Sequence, residues 1–266
     1  MTNDKRIVIL GAGNVATFFA LALKRAGWHI DTVYSRTRAS ASELAGKVNS
    51  GWVTDAGQID TGAGIWLFAL SDQGTIDIIK KTGFRDCLML HTAGSLPMDI
   101  FAGHAENYGV LYPLQTISAK RPPVYADFPI CIESNSAKGL EMTESLARHI
   151  TSSVHRIDSE RRLLLHTAAV FACNFTNHMY TIAGEIALKA DLPFEMYHSL
   201  IKETAEKAVR LGPAASQTGP AARNDRLIIE KHLDLLSFYP ESRSIYKQLS
   251  ESIRRLSGKK AGDSEK

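Results

Sequence analysis

Short apolar runs alternate with amphipathic stretches over residues 6–158 of the chain. This alternation predicts strands and helices in turn, arranged around a parallel sheet. The predicted strands are 7–10, 31–34, 64–69, 88–91, 110–112, 130–132 and 154–157. The predicted helices between them are 15–26, 39–48, 74–81 and 137–150.

The strand pattern stops after residue 158, and helical periodicity takes over. The predicted helices of this second part are 160–189, 193–211, 226–236 and 242–256. We therefore expect an α/β fold, with an α/β domain at 1–158 followed by an all-α C-terminal domain at 159–257. The polar end of the chain, residues 258–266, is predicted to be a disordered tail.

The first helix of the second part, residues 160–189, carries apolar side chains on nearly every face. A helix of this kind has to be buried on all sides. It would be about 45 Å long at about 1.5 Å per residue, which a domain of about 110 residues cannot easily cover alone. We therefore predict a homodimer formed through the C-terminal helices.

Composition restricts the class of protein. With 266 residues, 44% hydrophobic and 22% charged, the chain is typical of a soluble globular protein. The net charge of +3 does not indicate a nucleic-acid partner. Neither a signal peptide nor a membrane span is predicted, and we expect a cytoplasmic protein. The cysteines Cys87, Cys131 and Cys173 form no CxxC pair and are expected to be buried free thiols.

The loop between the first predicted strand and helix reads GAGNVA over residues 11–16. In this context the G-x-G-x-x-A pattern indicates a Rossmann dinucleotide-binding domain, the alternative being a structural turn in another α/β fold. Gly11 permits the tight turn, Gly13 leaves room for the pyrophosphate, and Ala16 replaces the third glycine. The residues expected to hold the phosphates at the helix N-terminus are Gly11, Ala12, Gly13, Asn14 and Val15.

The end of the second strand favours NADP over NAD. It reads Ser35, Arg36, Thr37, and no carboxylate stands at this turn, because Asp31 lies at the start of the strand. Arg36 can bind the 2′-phosphate in bidentate fashion, with the neighbouring hydroxyls beside it. The alternative for Arg36 is a solvated turn residue.

Two further loops, 70–73 and 91–95, follow predicted strands at the same edge of the sheet. Ligands of open α/β sheets bind outside the carboxyl ends of the strands, so these loops are expected to line the crevice. The residues expected to contact the cofactor are Leu70, Ser71, His91 and Thr92. Ser95 is expected to contact the substrate. Residues of these types also form ordinary turns, and that alternative stays open.

The motifs GAGNVA (11–16), SRT (35–37), ALSD (69–72) and HTAGS (91–95) resemble the pyrroline-5-carboxylate reductase and 6-phosphogluconate dehydrogenase superfamily. The segments HTAAVFACNFTNHMY (166–180) and TGPAARND (218–225) resemble a bacterial branch with an uncharacterised helical C-terminal domain. Together the resemblance covers nearly the whole chain. It implies NADP-linked oxidation or reduction of a small molecule, with the helical domain mediating dimerisation and closing the substrate cleft.

The sequence departs from better-known members of the superfamily. Its β-hydroxyacid dehydrogenases carry a catalytic lysine four residues before an asparagine, whereas Val170 stands four residues before Asn174 here. Their mechanism therefore cannot be carried over. The serine and threonine pattern of a pyrroline-5-carboxylate reductase substrate site is not clearly present either.

His166 is the leading candidate for donating a proton or polarising the acceptor in hydride transfer. Asn174 lies about two turns later, about 80° around the helix and about 12 Å along it, so the two could flank one ligand. The alternatives are a core histidine and an interhelical hydrogen bond. Further candidates for substrate binding are Gln115, Thr218 and Arg223. Asn174 and His178 share a helical face without a carboxylate, so no metal site is predicted.

We accordingly expect an NADP-dependent oxidoreductase that acts on a small polar metabolite, with hydride transfer to or from a carbonyl or imine. The alternative is an NADP-binding sensor or regulatory protein without hydride chemistry, which the missing lysine favours.

Overall fold

The computed structural model of the chain describes residues 6–59, 62–81, 87–118 and 127–263, with side chains described up to residue 257. It divides into two compact units, with the boundary between Phe175 and Thr176. The predicted boundary lies at 158/159, so the first part of the predicted helix 160–189, up to Phe175, belongs to the first unit.

The first unit contains a single sheet of eight strands among the described residues. The strands are β1 (Arg6–Leu10), β2 (His29–Tyr34), β3 (Gly51–Val53), β4 (Ile65–Phe68), β5 (Leu88–His91), β6 (Asn107–Pro113), β7 (Ile130–Ser134) and β8 (Val154–Arg156). Their order is β3-β2-β1-β4-β5-β6-β7-β8. All seven predicted strands are found, and β3 is the addition.

One pairing corrects the expectation of a parallel sheet. β7 runs antiparallel to β6, with Tyr112 opposite Cys131, while the other neighbouring strands are parallel. The described residues between β6 and β7 contain no helix. Parallel neighbours require a crossover connection, usually helical, whereas antiparallel neighbours can be joined by a loop.

The helices of the first unit pack on both faces of the sheet. They are α1 (Asn14–Arg25), α2 (Arg38–Val48), α3 (Asp72–Ile79), α4 (Ala137–Arg148) and α5 (Ser159–Ala169). Ile7 and Ile9 of β1 join a core with residues of α1, α2 and α4, whereas Val8 and Leu10 join a second core with α3. Because both faces are covered, the central strands are apolar at nearly every position and form the apolar runs that predict them.

The predicted helix 160–189 is interrupted. α5 continues directly into a π-helical segment, Val170–Phe175, which closes the first unit, and α6 (Thr176–Leu188) opens the second. Leu164 is 72% exposed and Phe171 is 65% exposed. Among the described residues these side chains are therefore not buried as the sequence predicts.

The second unit is all-helical within the described residues. After α6 it contains α7 (His198–Leu211), α8 (Arg226–Leu235) and α9 (Pro240–Asp263). The backbone of α9 is helical up to Asp263 and so extends into the stretch 258–266, for which a disordered tail stays a prediction. Once a helix is formed, each added residue contributes a further hydrogen bond, which favours this continuation. Residues 264–266 lie outside the described residues.

Two features are absent from the described residues. None of the helices in this part of the chain has both the length and the apolar character required to cross a membrane. No cluster of three or more histidine, cysteine, aspartate or glutamate side chains suited to a metal ion occurs among the same residues.

Candidate functional site

The glycine loop after β1 is tightly enclosed at its start and open in its middle. Gly11 has a φ of +117°, and a Cβ built there would lie 2.3 Å from the carbonyl oxygen of Ala69. Only glycine is tolerated under both conditions. Gly13, the residue before α1, would place a Cβ in open space, with nothing within 4 Å. The backbone therefore presents the amides of a helix N-terminus to a space that suits a pyrophosphate.

A first cleft of about 380 Å³ opens beside this loop, at the carboxyl ends of β1, β2 and β4. Seven of the predicted cofactor residues line it, namely Gly11, Ala12, Gly13, Ser35, Arg36, Leu70 and Ser71. Three residues that the sequence did not indicate also line this cleft. Ser40 lies in α2, Asp77 in α3, and Lys81 just beyond the end of α3. No local motif marked them, because they reach the cleft through the packing of their helices.

The other predicted cofactor residues lie around the cleft or away from it. Asn14 and Val15 form the first turn of α1. The Thr37 hydroxyl donates a hydrogen bond to Ser40 Oγ at 2.9 Å. The Thr92 hydroxyl donates to the carbonyl oxygen of Phe68 at 3.4 Å.

His91 is enclosed in the core. Its side chain is fully buried, its ring lies 5.7 Å from that of Phe101, and its Nδ1 accepts a hydrogen bond from the Ala93 amide at 3.2 Å. Burial, assisted by the nearby Arg162 guanidinium, lowers the pKa of His91 to about 3. The imidazole is therefore neutral, and the side chain is enclosed in the core and does not line the cleft.

A second cleft, of about 450 Å³, lies between the end of β6 and the helix formed by α5 and the π-helical segment. Its polar lining residues are Tyr112, Gln115, Thr116, His166, Cys173 and Asn174. The structure thus brings together three residues predicted for catalysis or substrate binding: His166, Asn174 and Gln115. Cys173 is exposed, which corrects the prediction that all three cysteines are buried, because the π-helical segment turns it toward the cleft.

The π-helical segment brings His166 and Asn174 to one face. A π-helix has about 4.4 residues per turn, hence about 82° per residue, compared with about 100° in an α-helix. Four α-helical steps from His166 to Val170 and four π-helical steps to Asn174 add up to about two full turns, within about 10°. The separation of about 80° expected for an uninterrupted helix is therefore nearly removed.

Tyr112 and His166 form the polar centre of the second cleft. The Tyr112 hydroxyl lies 3.1 Å from His166 Nδ1, and the two rings meet edge to face with their centroids 5.9 Å apart. Burial raises the pKa of Tyr112 to about 12, with Cys131 acting in the same direction and Arg162 opposing it. Tyr112 therefore keeps its proton at neutral pH, and the raised pKa makes it a weaker acid than an ordinary tyrosine.

The loop that follows β5 contacts the same histidine. A Cβ built on Gly94 would lie 2.5 Å from His166 Cγ, so the loop backbone packs directly against the imidazole. Ser95, in this loop, donates a hydrogen bond to Asp72 Oδ2 at 2.5 Å and thereby joins the loops after β4 and β5.

The remaining predicted substrate residues are separated between the units. Gln115 lines the second cleft, and its Oε1 accepts a hydrogen bond from the Thr116 amide at 2.8 Å. Thr218 and Arg223 lie in the second unit, where both side chains are exposed and the Arg223 amide donates to the Gly219 carbonyl at 3.3 Å. Their role in substrate binding stays a prediction.

Comparison with known proteins gives one family match and several similar structures. The family described as a domain of unknown function, DUF2520, matches residues 128–253. The putative NADP oxidoreductase BF3122 from Bacteroides fragilis is 42% identical, with a TM-score of 0.90 over 95% of this chain and 99% of that chain. No curated protein matches the sequence.

More distant structures share the fold. Protein TM1727 from Thermotoga maritima is 20% identical, with a TM-score of 0.73 over 96% of this chain and 99% of that one. An imine reductase from Myxococcus stipitatus in complex with NADP+ is 16% identical, with a TM-score of 0.64 over 97% of this chain and 94% of that one. The Rossmann domain and helical C-terminal region expected from the sequence are therefore confirmed.

Proposed function

The chain belongs to the family of BF3122 from Bacteroides fragilis, and we propose that it is an NADP(H)-dependent oxidoreductase that transfers hydride to or from a carbonyl or imine carbon of a small polar metabolite. The observation that carries this proposal is the Tyr112–His166 pair. It lies in a cleft of the same unit that forms the dinucleotide cleft, and its histidine contacts the loop after β5.

The first cleft fits NADP(H) in its chemistry. The amides at the start of α1 face the space that Gly13 leaves open, which suits the pyrophosphate. Arg36 is exposed at the end of β2 and shares the cleft with Ser35 and Ser40, which suits the 2′-phosphate. When bound, NADPH supplies the hydride.

The residues of the second cleft supply the proton. Tyr112 holds a proton at neutral pH, and its hydroxyl can donate it to the oxygen or nitrogen that becomes negatively charged as the acceptor carbon is reduced. His166 Nδ1, 3.1 Å from that hydroxyl, orients it and can carry a proton back to the phenolate. Gln115 and Asn174 line the cleft around the pair and offer amide groups that can orient a polar substrate.

The proposal is tested by mixing the purified protein with NADPH and small keto acids, aldehydes and cyclic imines, and following the loss of nicotinamide absorbance. We expect one of these three classes to be reduced. Tight NADPH binding without turnover of any class would contradict the proposal and support a sensor instead.

Arg36 provides a prediction about cofactor preference. Arg36→Ala is expected to weaken NADPH binding by about 10- to 100-fold, because it removes charge-assisted hydrogen bonds to the 2′-phosphate, while NADH binding stays unchanged. The matched control is Arg38→Ala, since the Arg38 guanidinium lies 5.4 Å from the centre of the Trp52 ring. Titration of both cofactors into the three proteins measures the effect. If the unaltered protein bound NADPH and NADH equally well, and Arg36→Ala changed neither affinity, the assignment of Arg36 to the 2′-phosphate would be wrong.

The exposed apolar side chains support a second part of the proposal, that the protein is a homodimer through its C-terminal helices. Of the hydrophobic residues in the described part of the second unit, only three are buried, namely Ala187, Ala221 and Leu236. Large apolar side chains are exposed on all four helices, for example Leu188 (73%), Val209 (86%), Leu235 (73%) and Leu256 (63%). Monomers rarely expose so much apolar surface. Sedimentation equilibrium at micromolar concentration should give a dimer, and a monomer would contradict the prediction.

A further inference from the structure

Within the described part of the chain, Arg162 is the only lysine, arginine, aspartate or glutamate that is buried. Only 1% of its surface is exposed. Taking a guanidinium out of water is costly unless it is paired and hydrogen-bonded. Its Nη1 donates to Glu133 Oε2 at 2.6 Å, while its Nε has no hydrogen-bond partner in this part of the chain. A buried ion pair that is only partly satisfied is a weak source of stability, so a role other than stability is considered for Arg162.

The partners of Arg162 come from three separate segments. Glu133 lies near the end of β7, and Arg162 Nη2 donates to the Leu96 carbonyl, beyond the end of β5. Ser159, in the first turn of α5, donates its hydroxyl to Glu133 at 2.7 Å and accepts a hydrogen bond from the Met98 amide at 3.1 Å. Arg162 and Glu133 therefore fasten the start of α5 to the segment that follows β5.

The same face of α5 carries His166. Residues four apart lie on one side of a helix, so Arg162 and His166 both face the segment after β5. Arg162 contacts it at Leu96, and one turn later the His166 ring packs on Gly94 and reaches the Tyr112 hydroxyl. The spacing between α5 and this segment thus determines where the imidazole lies.

We propose that Arg162 is a positioning residue for the Tyr112–His166 pair. By holding both Glu133 and the Leu96 carbonyl, it fixes α5 at the distance where His166 contacts Gly94 and Tyr112 together. The planar guanidinium reaches two acceptors at once, which a lysine cannot do in the same geometry. This inference rests on the proposed function, since it assigns Arg162 to the alignment of the proposed proton donor.

The test separates positioning from stability with a double variant. Arg162→Met alone leaves Glu133 without its cation and should lower both the melting temperature and kcat. Arg162→Met combined with Glu133→Met removes both charges, together with the two hydrogen bonds that Glu133 accepts from Ser159, and therefore tests the Arg162–Glu133 pair as a unit. Exchange of a buried pair for apolar residues is often neutral for stability. We expect the double variant to regain a near-normal melting temperature while kcat stays about 10- to 100-fold below that of the unaltered protein. NADPH affinity should stay within about threefold.

Two additional variants complete the design. Arg162→Lys keeps the charge beside Glu133 and should keep the fold, but kcat should still fall several-fold because the bond to Leu96 is lost. The control is Arg156→Met. Arg156 forms an ion pair with Glu144 at 2.7 Å, and its side chain is 67% exposed. Loss of this exposed pair should leave the melting temperature, kcat and NADPH affinity unchanged.

Histidine-selective NMR provides a readout that does not depend on turnover. The Cε1–H resonance of His166, assigned with His166→Asn, should shift in the double variant and in Arg162→Lys, but not in Arg156→Met. Recovery of both stability and kcat in the double variant, or an unmoved His166 resonance there, would overturn the inference. If the unaltered protein reduces no substrate, the proposed function fails, but the NMR comparison still decides the role of Arg162.

Discussion

Tyr112→Phe should lower kcat by about 100-fold or more while leaving NADPH affinity unchanged. The substitution removes only the hydroxyl that lies 3.1 Å from His166 Nδ1, and the ring keeps its place at the end of β6. Loss of one neutral hydrogen bond costs about 1 kcal/mol, so the protein should stay folded. Steady-state kinetics with the substrate identified by the screen, together with a fluorescence titration of NADPH, provide the measurement.

The control for this substitution lies in the same strand. Tyr108→Phe removes a hydroxyl from a tyrosine near the start of β6, outside the second cleft, and should leave kcat within about twofold. If Tyr112→Phe retained half or more of the activity, the proton would have to come from another group, and His166 alone would become the candidate.

Gly11→Ala should remove detectable NADPH binding and destabilise the protein by about 2–4 kcal/mol. The φ of +117° is strained for any residue with a Cβ, and that Cβ would lie 2.3 Å from the Ala69 carbonyl oxygen, which belongs to the backbone and cannot move aside cheaply. The loop would have to shift, and with it the amides that hold the pyrophosphate. Chemical denaturation and NADPH titration measure the two effects.

Gly13→Ala gives the informative contrast. Its φ is −81°, and its Cβ would meet nothing within 4 Å, so the fold should be unaffected. The added methyl group occupies the space assigned to the pyrophosphate, and NADPH binding should therefore weaken without loss of stability. Unchanged binding in Gly13→Ala would place the phosphates elsewhere.

The sheet was largely predictable because its central strands are buried on both faces. Such strands appear as unbroken apolar runs, and β1, β4 and β5 were located within one or two residues. β3 was missed because its residues, Gly51–Val53, are mostly exposed and form no apolar run. The antiparallel direction of β7 was missed because strand direction depends on the connection rather than on the strand itself.

The candidate site was predictable where its residues are adjacent in sequence. The glycine loop and the turn at Ser35 and Arg36 are local motifs, and both line the first cleft. The contact between Tyr112 and His166 joins residues 54 positions apart, and no spacing rule indicates it. The π-helical segment was also invisible, because the apolar residues of 160–189 are consistent with an ordinary helix.

The most direct test of the central claim is transfer of isotope from cofactor to product. NADPH that carries deuterium at both hydrogen positions of nicotinamide C4 is mixed with the protein and the substrate class that the screen identifies, and the product is analysed by mass spectrometry. We expect one deuterium on the reduced carbon in the unaltered protein and about 100-fold slower transfer in Tyr112→Phe. NADPH that binds tightly but passes no deuterium to any keto acid, aldehyde or imine would contradict the assignment of this chain as an oxidoreductase.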